Sequence, residues 1–530
     1  MRRFSSYGPV NEKLNYYAPR KELIEKGYNQ LVGENPEDGG HYFTVWAPRQ
    51  CGKTWLMQEV VQKIKKMGQY RVAMISMEPA KNKVSEEKIL EIFVNKMTQG
   101  FQIQFPKINS ISDISSLFTR QYFQEPVILI IDEFDSLEEE FINSFAGIFR
   151  DIYIGRTGEP EKTSNEKFHL LHGVALIGVR SVLGIENVKG SPFNVQRSLH
   201  VPNLTYDEVK GMFADYQRDS GQDVDEQVVR TLYKDTCGQP GLTCWFGELL
   251  TEGTEDYTND RNKPISISNY EEVYAAATHI LPNNNILNLI SKVNKPPYDE
   301  IVVDFFKTGD KIEFKFNNKD INYLYMNGII SPEKADMNKY YIRFSSPFVQ
   351  RSLFDYFANY YFDYLGQLVH PLDDMKDAIT EETLFIPHII KRYRDYLKKN
   401  RDAFFKNVPR RKNDLRIYEA IYHFNLYRYL YDLLKSRGVE VIPQFPTGNG
   451  KIDLLLKYRE KTYAIELKSF KDMFMFEKGI EQAEVYGRQL GLNEVTYLVF
   501  VELNQEEAKQ LEKEVQKPGI KVIVLSIGIL

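Results

Sequence analysis

The sequence has little cysteine and no long apolar run. Its three cysteines, Cys51, Cys237 and Cys244, lack metal-ligand spacing and are too few for a disulfide framework. No apolar run approaches the about 20 residues that a membrane-spanning helix needs, and the first residues lack the apolar core of a signal peptide. These absences argue against a disulfide-stapled secreted protein and an integral membrane protein. We therefore expect a cytoplasmic protein with no membrane partner.

An excess of positive charge is also missing. The chain holds 68 lysine and arginine residues against 73 aspartates and glutamates, so any contact with nucleic acid must be local. The exception is a basic run over residues 391–416, which is interleaved with aromatic residues. Such a run is usually a solvated helix face. Alternatively, it contacts the phosphate backbone of nucleic acid, which lysine and arginine bind without reading the sequence.

A phosphate-binding loop is predicted between a strand at residues 42–46 and an apolar-periodic helix that runs to about Met67. The intervening sequence is Ala-Pro-Arg-Gln-Cys-Gly-Lys-Thr, with alanine where the usual pattern begins with glycine. Backbone N–H groups of such a loop surround a phosphate at a helix N-terminus, where the helix dipole also favours anions. Lys53 would reach the β- and γ-phosphates of ATP, and Thr54 would bind magnesium. The residues expected to contact ATP are Ala47, Pro48, Arg49, Gln50, Cys51, Gly52, Lys53 and Thr54.

A second apolar run, residues 127–131, ends in the adjacent acids Asp132 and Glu133. Because the run is continuous rather than alternating, it predicts a strand covered on both faces, as in a parallel sheet. With a phosphate-binding loop upstream, the pattern indicates that Asp132 coordinates magnesium through water and that Glu133 activates the hydrolytic water. The alternative is a buried strand that meets an exposed acidic loop.

Together these motifs resemble the AAA-like ATPase domain of bacterial and archaeal multidomain proteins, which belongs to the P-loop ATPases of the signal-transduction (STAND) type. The resemblance extends over residues 16–251. It includes Ser-Pro-Phe-Asn at 191–194 and Cys-Gly-Gln-Pro-Gly-Leu-Thr at 237–243. It implies that the protein binds ATP and magnesium.

The same resemblance implies roles for two further residues. Arg180 follows a predicted buried strand at 174–178 and would sense the γ-phosphate, with a structural or trans-acting arginine as the alternative. Pro240 would place the adenine or close a lid, or it is an ordinary proline at the first position of a helix. A homo-oligomer is also compatible with the family, because a neighbour's arginine often completes such sites.

A winged-helix module is predicted within residues 284–360. Short helices precede a helical segment at 320–330, a polar turn at 331–338 and a strand at 340–344. The module carries little basic charge, so we expect a structural role rather than the DNA binding that some winged helices perform.

The last part of the chain contains a predicted hairpin with three charged residues at one edge. Two apolar runs flank a polar tip at 458–461, the pattern of an antiparallel hairpin. If the turn centres on residues 459–460, Asp453 lies directly opposite Glu466. Side chains alternate between the two faces of a strand, so Glu466 and Lys468 point the same way.

These three residues suggest hydrolytic chemistry. Two carboxylates this close repel each other, and a hard divalent cation relieves the repulsion because it prefers oxygen ligands. Asp453 and Glu466 therefore predict a magnesium site. Lys468 can hold or polarise the attacking water and stabilise charge on a phosphate, which is the chemistry of phosphodiester hydrolysis. The alternative is an edge hairpin whose charged side chains face solvent.

Flanking helices complete a resemblance to the PD-(D/E)XK nuclease superfamily. A helical pattern at 417–434 carries Glu419. A second, at 478–490, carries Gln482 and Tyr486 on one face because they are four residues apart. The order of helix acid, strand acid, Glu-x-Lys and Gln-x-x-x-Tyr helix is that of the superfamily. Ile-Asp stands where the superfamily has Pro-Asp, a departure that leaves the acid in place.

The resemblance implies that magnesium is held by Asp453, Glu466 and the carbonyl of Leu467. Glu419 would assist the metal from the first helix, and Lys468 would be the catalytic lysine. The Gln-x-x-x-Tyr pair would orient the substrate or support the site. Two further strands at the end of the chain, around an exposed helix at 504–516, would complete an α/β core.

The length of 530 residues suggests two to four domains. We expect an α/β protein with four segments. They are an AAA-like ATPase domain at 1–262, a winged-helix-like module at 263–365, a basic helical linker at 366–415 and a nuclease domain at 416–530.

The leading hypothesis is an ATP-controlled, magnesium-dependent nuclease that acts on nucleic acid, with DNA favoured. Proteins of this architecture resemble those suspected in phage defence or mobile-element biology. A second hypothesis is an ATP-switched regulator or adaptor whose nuclease-like domain binds nucleic acid without cutting it. A third is a scaffold that uses ATP only for folding.

Overall fold

The computed structural model describes residues 1–8, 10–83, 85–178, 197–306, 312–336, 338–368, 374–412, 414–447 and 450–530. The strands in these residues are β1 (Tyr42–Trp46), β2 (Arg71–Ser76), β3 (Val127–Asp132), β4 (Leu171–Gly178), β5 (Arg197–His200), β6 (Ile330–Asp336), β7 (Lys339–Phe344), β8 (Glu440–Thr447), β9 (Gly450–Tyr458), β10 (Lys461–Ser469), β11 (Glu494–Val501), β12 (Lys513–Lys517) and β13 (Ile520–Gly528). The α-helices are α1 (Lys21–Val32), α2 (Lys53–Met67), α3 (Glu86–Phe101), α4 (Glu139–Thr157), α5 (Tyr206–Ser220), α6 (Glu226–Thr236), α7 (Pro240–Glu252), α8 (Ile267–His279), α9 (Asn284–Val293), α10 (Tyr298–Phe305), α11 (Lys319–Met326), α12 (Pro347–Tyr361), α13 (Ile386–Phe405), α14 (Glu419–Leu434), α15 (Met473–Gln489) and α16 (Gln505–Ala508).

The chain forms two compact units. Unit 1 consists of Met1–Leu289 and Phe314–Pro347, and unit 2 consists of Ile290–Glu313 and Phe348–Leu530. Each unit therefore takes a short segment from the middle of the chain. The four-domain division predicted from the sequence stays a prediction.

Unit 1 contains a five-stranded parallel sheet with the order β2-β3-β4-β1-β5. Strands β3 and β4 are buried along their whole length, which accounts for the continuous apolar run before Asp132. Alternate strand residues enter two separate cores, one packed with α3 and α4 and the other with α1 and α2. The expected α/β architecture with a buried parallel sheet is confirmed. Because the carboxyl ends of parallel strands meet at one edge, the loop after β1 and the acids after β3 share that edge.

The middle of the chain differs from its prediction in one element. Three helices, α9, α10 and α11, precede an antiparallel hairpin of β6 and β7. The polar turn was predicted at residues 331–338, but these residues belong to strand β6 as far as Asp336. The predicted position of the turn is therefore wrong. Pro332 lowered the strand signal, but a two-stranded hairpin leaves each strand an edge where proline is tolerated. The winged-helix interpretation stays a prediction.

Unit 2 contains a six-stranded mixed sheet with the order β12-β13-β11-β10-β9-β8. Strands β10, β11 and β13 are parallel, and the remaining neighbours are antiparallel. In the β9–β10 hairpin, Tyr458 pairs with Lys461 and Leu454 pairs with Ile465. The predicted turn and register are therefore confirmed, and the next position along the strands brings Asp453 opposite Glu466.

One prediction in unit 2 is wrong. The exposed helix expected over residues 504–516 is only the short α16, followed by a 3-10 turn at Lys509–Leu511 and by strand β12. In β12, Val515 pairs with Val522 of β13, so the segment gains a partner strand that its charged sequence does not reveal.

Among the residues that the structure describes, no helix is long and apolar enough to cross a bilayer.

Candidate functional site

The phosphate-binding loop lies between β1 and α2, with Lys53 as the first residue of the helix. Gly52 caps the helix in the left-handed conformation (φ 81°), which glycine adopts without strain. The Lys53 ammonium donates to the loop's own carbonyls, to Ala47 O at 2.8 Å and to Pro48 O at 2.9 Å. Burial lowers the pKa of Lys53, and nearby carboxylates oppose that shift only in part. The loop thus holds a cation at the place where a phosphate would enter.

The acids after β3 face this loop. Thr54 Oγ1 donates to Asp132 Oδ2 at 2.7 Å, and the Glu133 amide donates to Asp132 Oδ1 at 2.9 Å. Glu133 has a left-handed backbone (φ 50°), which a non-glycine residue adopts rarely and most often at functional positions. Burial raises the pKa of both acids. The hydroxyl and carboxylate oxygens are the donor set that Mg²⁺ prefers, so these residues fit a nucleotide-bound magnesium ion.

The Gly-Gln-Pro-Gly segment packs directly against the phosphate-binding loop. Gln239 Nε2 donates to Arg49 O at 3.1 Å, and the Gly241 amide donates to Gln50 O at 3.1 Å. A Cβ at Gly241 would come within 2.4 Å of the Gln50 side chain, so this close approach requires glycine. Pro240 is the first residue of α7, the ordinary helix-opening position.

Two predictions from the first resemblance fall outside the structural description. Arg180 and the Ser-Pro-Phe-Asn sequence at 191–194 lie in residues 179–196, outside the described ranges. The γ-phosphate sensor therefore stays a prediction.

In unit 2, one lysine and three carboxylates meet around β9 and β10. Lys468 Nζ lies 2.7 Å from Glu466 Oε1 and 3.8 Å from both Glu419 Oε1 and Asp453 Oδ2. Burial and the neighbouring Asp453 carboxylate raise the pKa of Glu466. Burial alone would lower the pKa of Lys468, but the three carboxylates outweigh it and raise that pKa. The ammonium therefore stays charged and neutralises part of the cluster.

Backbone amides fix two of the acids. Leu467 N donates to Asp453 Oδ2 at 2.8 Å, and Ser469 N donates to Glu419 Oε2 at 2.9 Å. Both donors lie on β10, so the strand that carries Glu466 and Lys468 also orients the acids from β9 and from α14. The set predicted from the sequence is brought together in space, while the role of each member stays a prediction.

The predicted substrate-orienting pair also makes contact. Gln482 Nε2 donates to Tyr486 OH at 2.8 Å on one face of α15. Burial raises the pKa of Tyr486, with the charge of Glu466 adding to the effect. The negative charge of Glu466 thus acts on the Tyr486 hydroxyl, which places the pair near the acids that surround Lys468.

Two residues of this site were not predicted. Gln444 Nε2 donates to Asp453 Oδ1 at 3.1 Å, and His423 lies 2.8 Å from the Asp453 carbonyl through Nε2. A carbonyl only accepts, so His423 Nε2 carries the proton, and burial lowers the pKa of this histidine to about 3. The spacing of His423 four residues after Glu419 on α14 was an available signal. No sequence signal indicated Gln444, whose backbone is left-handed (φ 54°).

The cluster around Lys468 offers oxygen ligands but, in the part of the chain that the structure describes, no preformed metal cage. Within the described ranges, no group of three or more His, Cys, Asp or Glu side chains is already arranged around a common metal position. The Lys468 ammonium lies among the carboxylates instead. However, Glu466 Oε2 is buried and has no hydrogen-bond partner among the described residues. A buried carboxylate oxygen without a donor is a suitable ligand for a hard cation, and the magnesium site itself stays a prediction.

Comparison with protein families identifies the first part of the chain. Residues 6–251 match the family described as the AAA-like domain, which confirms the predicted ATPase class for this segment. No curated protein sequence matches the chain.

Several solved structures are similar to this chain. The Walker-type ATPase PABY2304 of Pyrococcus abyssi is 14% identical with a TM-score of 0.44, covering 66% of this chain and 99% of its own. Cdc6p of Pyrobaculum aerophilum is 13% identical with a TM-score of 0.36, covering 65% and 94%. The ORC2 protein of Aeropyrum pernix is 13% identical with a TM-score of 0.38, covering 63% and 92%.

Proposed function

We propose that the protein is an ATP-controlled nuclease. The AAA-like domain binds and hydrolyses ATP, and the site in unit 2 cleaves phosphodiester bonds of DNA with magnesium. The observation that carries the proposal is the meeting of Glu419, Asp453, Glu466 and Lys468 within hydrogen-bond and ion-pair distances. A structural hairpin has no need of two buried carboxylates, Asp453 and Glu466, beside the partly buried Glu419, because carboxylates are costly to remove from water.

In the ATPase site, Lys53 would exchange its loop carbonyls for the β- and γ-phosphates. Thr54 and Asp132 would hold the magnesium ion that accompanies ATP. Glu133 would take the proton of the attacking water, a role that its raised pKa favours because a base works best near the working pH. The contacts of Gln239 with the loop would keep the loop backbone in place during this exchange.

In the nuclease site, Asp453, Glu466 and the Leu467 carbonyl would hold magnesium, with support from Glu419. When bound, the ion supplies positive charge that polarises the phosphate and lowers the pKa of a coordinated water. Lys468 would donate hydrogen bonds to the attacking water and to phosphate oxygens as negative charge develops there. Because the carboxylates keep its ammonium charged, Lys468 would act as a donor rather than as a base.

A cavity at the end of the basic run is a candidate for contact with nucleic acid. It measures about 610 Å³ and lies beside the carboxyl ends of β11 and β13. Its lining is mixed in charge, with the cations Arg401, Lys406 and Arg410, the acids Asp402 and Glu502, and the apolar residues Phe405, Ile417, Ile529 and Leu530. Other members of the basic run are already paired, such as Arg392 with Asp377 and Arg394 with Glu512. Within the cavity Arg401 is likewise paired with Asp402, so we assign the phosphate contacts of the run to Lys406 and Arg410.

The test compares wild-type protein with Asp453→Ala on single- and double-stranded DNA and RNA in Mg²⁺. We expect cleavage of DNA by the wild type and none by the variant, while both bind DNA with similar affinity. Cleavage that survives in the variant, in a preparation free of contaminating nuclease, would show that the site is assigned wrongly.

A second candidate function is an ATP-switched regulator that binds nucleic acid without cutting it. The position of the Lys468 ammonium among the carboxylates favours it, because this lysine already neutralises charge that magnesium would neutralise. Under this hypothesis, wild-type protein binds DNA but does not cleave it with any divalent metal. Lys468→Arg, which keeps the charge among the carboxylates, would then leave DNA binding unchanged.

A further inference from the structure

A buried chain of hydrogen bonds runs from α12 to the Asp453 carboxylate. Gln350 Nε2 donates to Gln444 Oε1 at 3.0 Å, and Gln444 Nε2 donates to Asp453 Oδ1 at 3.1 Å. At the other end, Lys451 Nζ donates to Gln350 Oε1. Gln350 is 4% exposed, Gln444 8% and Asp453 2%. Neither glutamine is one of the three acids, Glu419, Asp453 and Glu466, that surround Lys468.

The two ends of the chain fix the direction of every bond in it. A lysine ammonium only donates and a carboxylate only accepts. Gln350 must therefore present its oxygen to Lys451 and its NH₂ group to Gln444, and Gln444 must then present its NH₂ group to Asp453. If Gln350 moves away, the Gln444 amide loses its donor and is held only by His423 Nδ1, at 3.3 Å from its Nε2, and by Asp453. Its oxygen is then left without a donor, and turning that oxygen toward the carboxylate becomes less costly. That orientation repels the acid.

The helix that carries Gln350 continues directly from a segment of unit 1. Pro347 is the first residue of α12 and the last residue of the segment Phe314–Pro347. Within unit 1 this segment packs on the phosphate-binding loop. The rings of Trp46 and Tyr325 lie 5.8 Å apart, and a Cβ at Gly328 would come within 2.8 Å of Pro48.

The hairpin connects that contact to the start of α12. Ser345 N donates to Ile329 O at 2.9 Å, so the end of β7 is tied to the residue that follows Gly328. A displacement of the phosphate-binding loop at Pro48 would therefore reach Pro347 through a short, hydrogen-bonded segment. Gln350 lies within the first turn of the helix that begins there.

We infer that Gln350 is a positioning residue through which the nucleotide state of the phosphate-binding loop sets the orientation of Asp453. The inference rests on the proposed function and names the route of its regulation. Nucleotide binding moves the segment packed on Pro48, α12 shifts, and Gln350 strengthens or releases its hold on Gln444. The acid then gains or loses the geometry needed for the metal.

The experiment measures DNA cleavage by full-length protein with a hydrolysis-resistant ATP analogue and without nucleotide. For the wild type we expect the two rates to differ by about fivefold or more, the usual size of such coupling. Gln350→Met removes both hydrogen bonds at similar side-chain length and should bring the ratio within about twofold of one. Gln444→Met should do the same, and the double variant should add nothing further.

A second readout does not need cleavage. The Leu467 amide donates to Asp453 Oδ2, so its hydrogen exchange reports where the carboxylate lies. The analogue should change exchange in a peptide covering residues 461–469 of the wild type by about twofold or more, but not in Gln350→Met. Ser352→Ala is the matched control, because Ser352 lies on the same helix and its hydroxyl donates to Phe348 O of that helix at 2.9 Å.

Each outcome decides the question. A wild-type nucleotide ratio retained in Gln350→Met would overturn the inference, and so would equal rates with and without nucleotide in an active wild type. If the wild type cleaves nothing, the proposed nuclease function is wrong. Hydrogen exchange of residues 461–469 then decides alone whether nucleotide binding acts on Asp453 through Gln350. If Gln350→Met does not fold, Gln350→Glu replaces it, since glutamate keeps the Lys451 partner but cannot donate to Gln444.

Discussion

Lys53 and Lys468 are both largely withdrawn from water, but different groups surround their ammonium groups. Lys53 rests on two backbone carbonyls of its own loop, and burial lowers its pKa. Lys468 rests among three carboxylates, which raise its pKa against the effect of burial. The charge of Lys53 is not balanced by these neutral carbonyls, so its ammonium can bind an incoming anion. Lys468 instead completes the charge balance of the cluster before any ligand arrives.

This difference predicts that the two lysines contribute very differently to stability. The units can be followed separately because all three tryptophans, Trp46, Trp55 and Trp245, lie in unit 1. Tryptophan fluorescence therefore reports the unfolding of unit 1, and hydrogen exchange on β9 and β10 reports unit 2.

The largest effect is expected for Lys468→Met. Carboxylates left buried without their cation destabilise a fold by about 3–5 kcal/mol, so the free energy of unfolding of unit 2 should fall by about that amount. Cleavage should fall by about 10²-fold or more. Hydrogen exchange under increasing denaturant measures the first quantity and a DNA cleavage assay the second. Lys468→Arg, which keeps the charge, should recover most of the stability. Equal stability of Lys468→Met and wild type would contradict the charge-balance account.

Acidification should weaken each unit through one buried histidine, while in unit 2 the raised pKa of Glu466 opposes that loss. Burial lowers the pKa of His172 in unit 1 to about 4 and of His423 in unit 2 to about 3. Both histidines stay neutral when folded but gain a proton when unfolded below about pH 6.5. The stability they contribute is therefore present above pH 6.5 and is lost as pH falls toward their folded pKa values.

Between pH 7.5 and 5, each histidine should cost its unit about 2 kcal/mol of unfolding free energy. Denaturant unfolding of wild type and His172→Gln, followed by tryptophan fluorescence, checks the value for unit 1. The variant should lose less stability than wild type over that pH range. An unchanged pH slope would mean that His172 does not carry the effect.

A smaller effect on stability is expected for Lys53→Ala. The variant should lose ATP hydrolysis, but its free energy of unfolding should change by less than about 1 kcal/mol, because only neutral carbonyls lose a partner. Lys65→Ala, at an exposed position on the same helix, is the control that should keep hydrolysis. A loss of several kcal/mol in Lys53→Ala would remove the contrast between the two lysines.

The smallest effect on stability is expected at the cavity that lies at the end of the basic run. Lys406→Ala should leave both units as stable as wild type and weaken DNA binding uniformly across sequences. The slope of log affinity against log salt concentration should fall by about one for each phosphate that the protein no longer neutralises. Lys399→Ala, on an exposed part of α13, should leave the slope unchanged. Identical salt slopes for the two variants would show that Lys406 and its cavity do not contact the phosphates of nucleic acid.

Much of each site could be predicted because its signal is local. The hairpin turn and strand alternation placed Asp453, Glu466 and Lys468 together, and the Gly-Lys-Thr sequence located the phosphate-binding loop. Gln350 and Gln444 could not be predicted, since their meeting depends on the packing of α12 on the sheet. The helix expected over residues 504–516 was wrong for a related reason. Asn504 and the acids after it are a strong helix start, but the partner strand β13 converts the remainder into β12.

The most direct test of the account is the rate of magnesium-dependent DNA cleavage by full-length protein with and without ATP, for wild type and for Lys53→Ala. The account predicts that ATP changes the wild-type rate severalfold and that Lys53→Ala, in which every residue of unit 2 is unchanged, no longer responds. Cleavage at the same rate with and without ATP in both proteins would contradict control by the ATPase site.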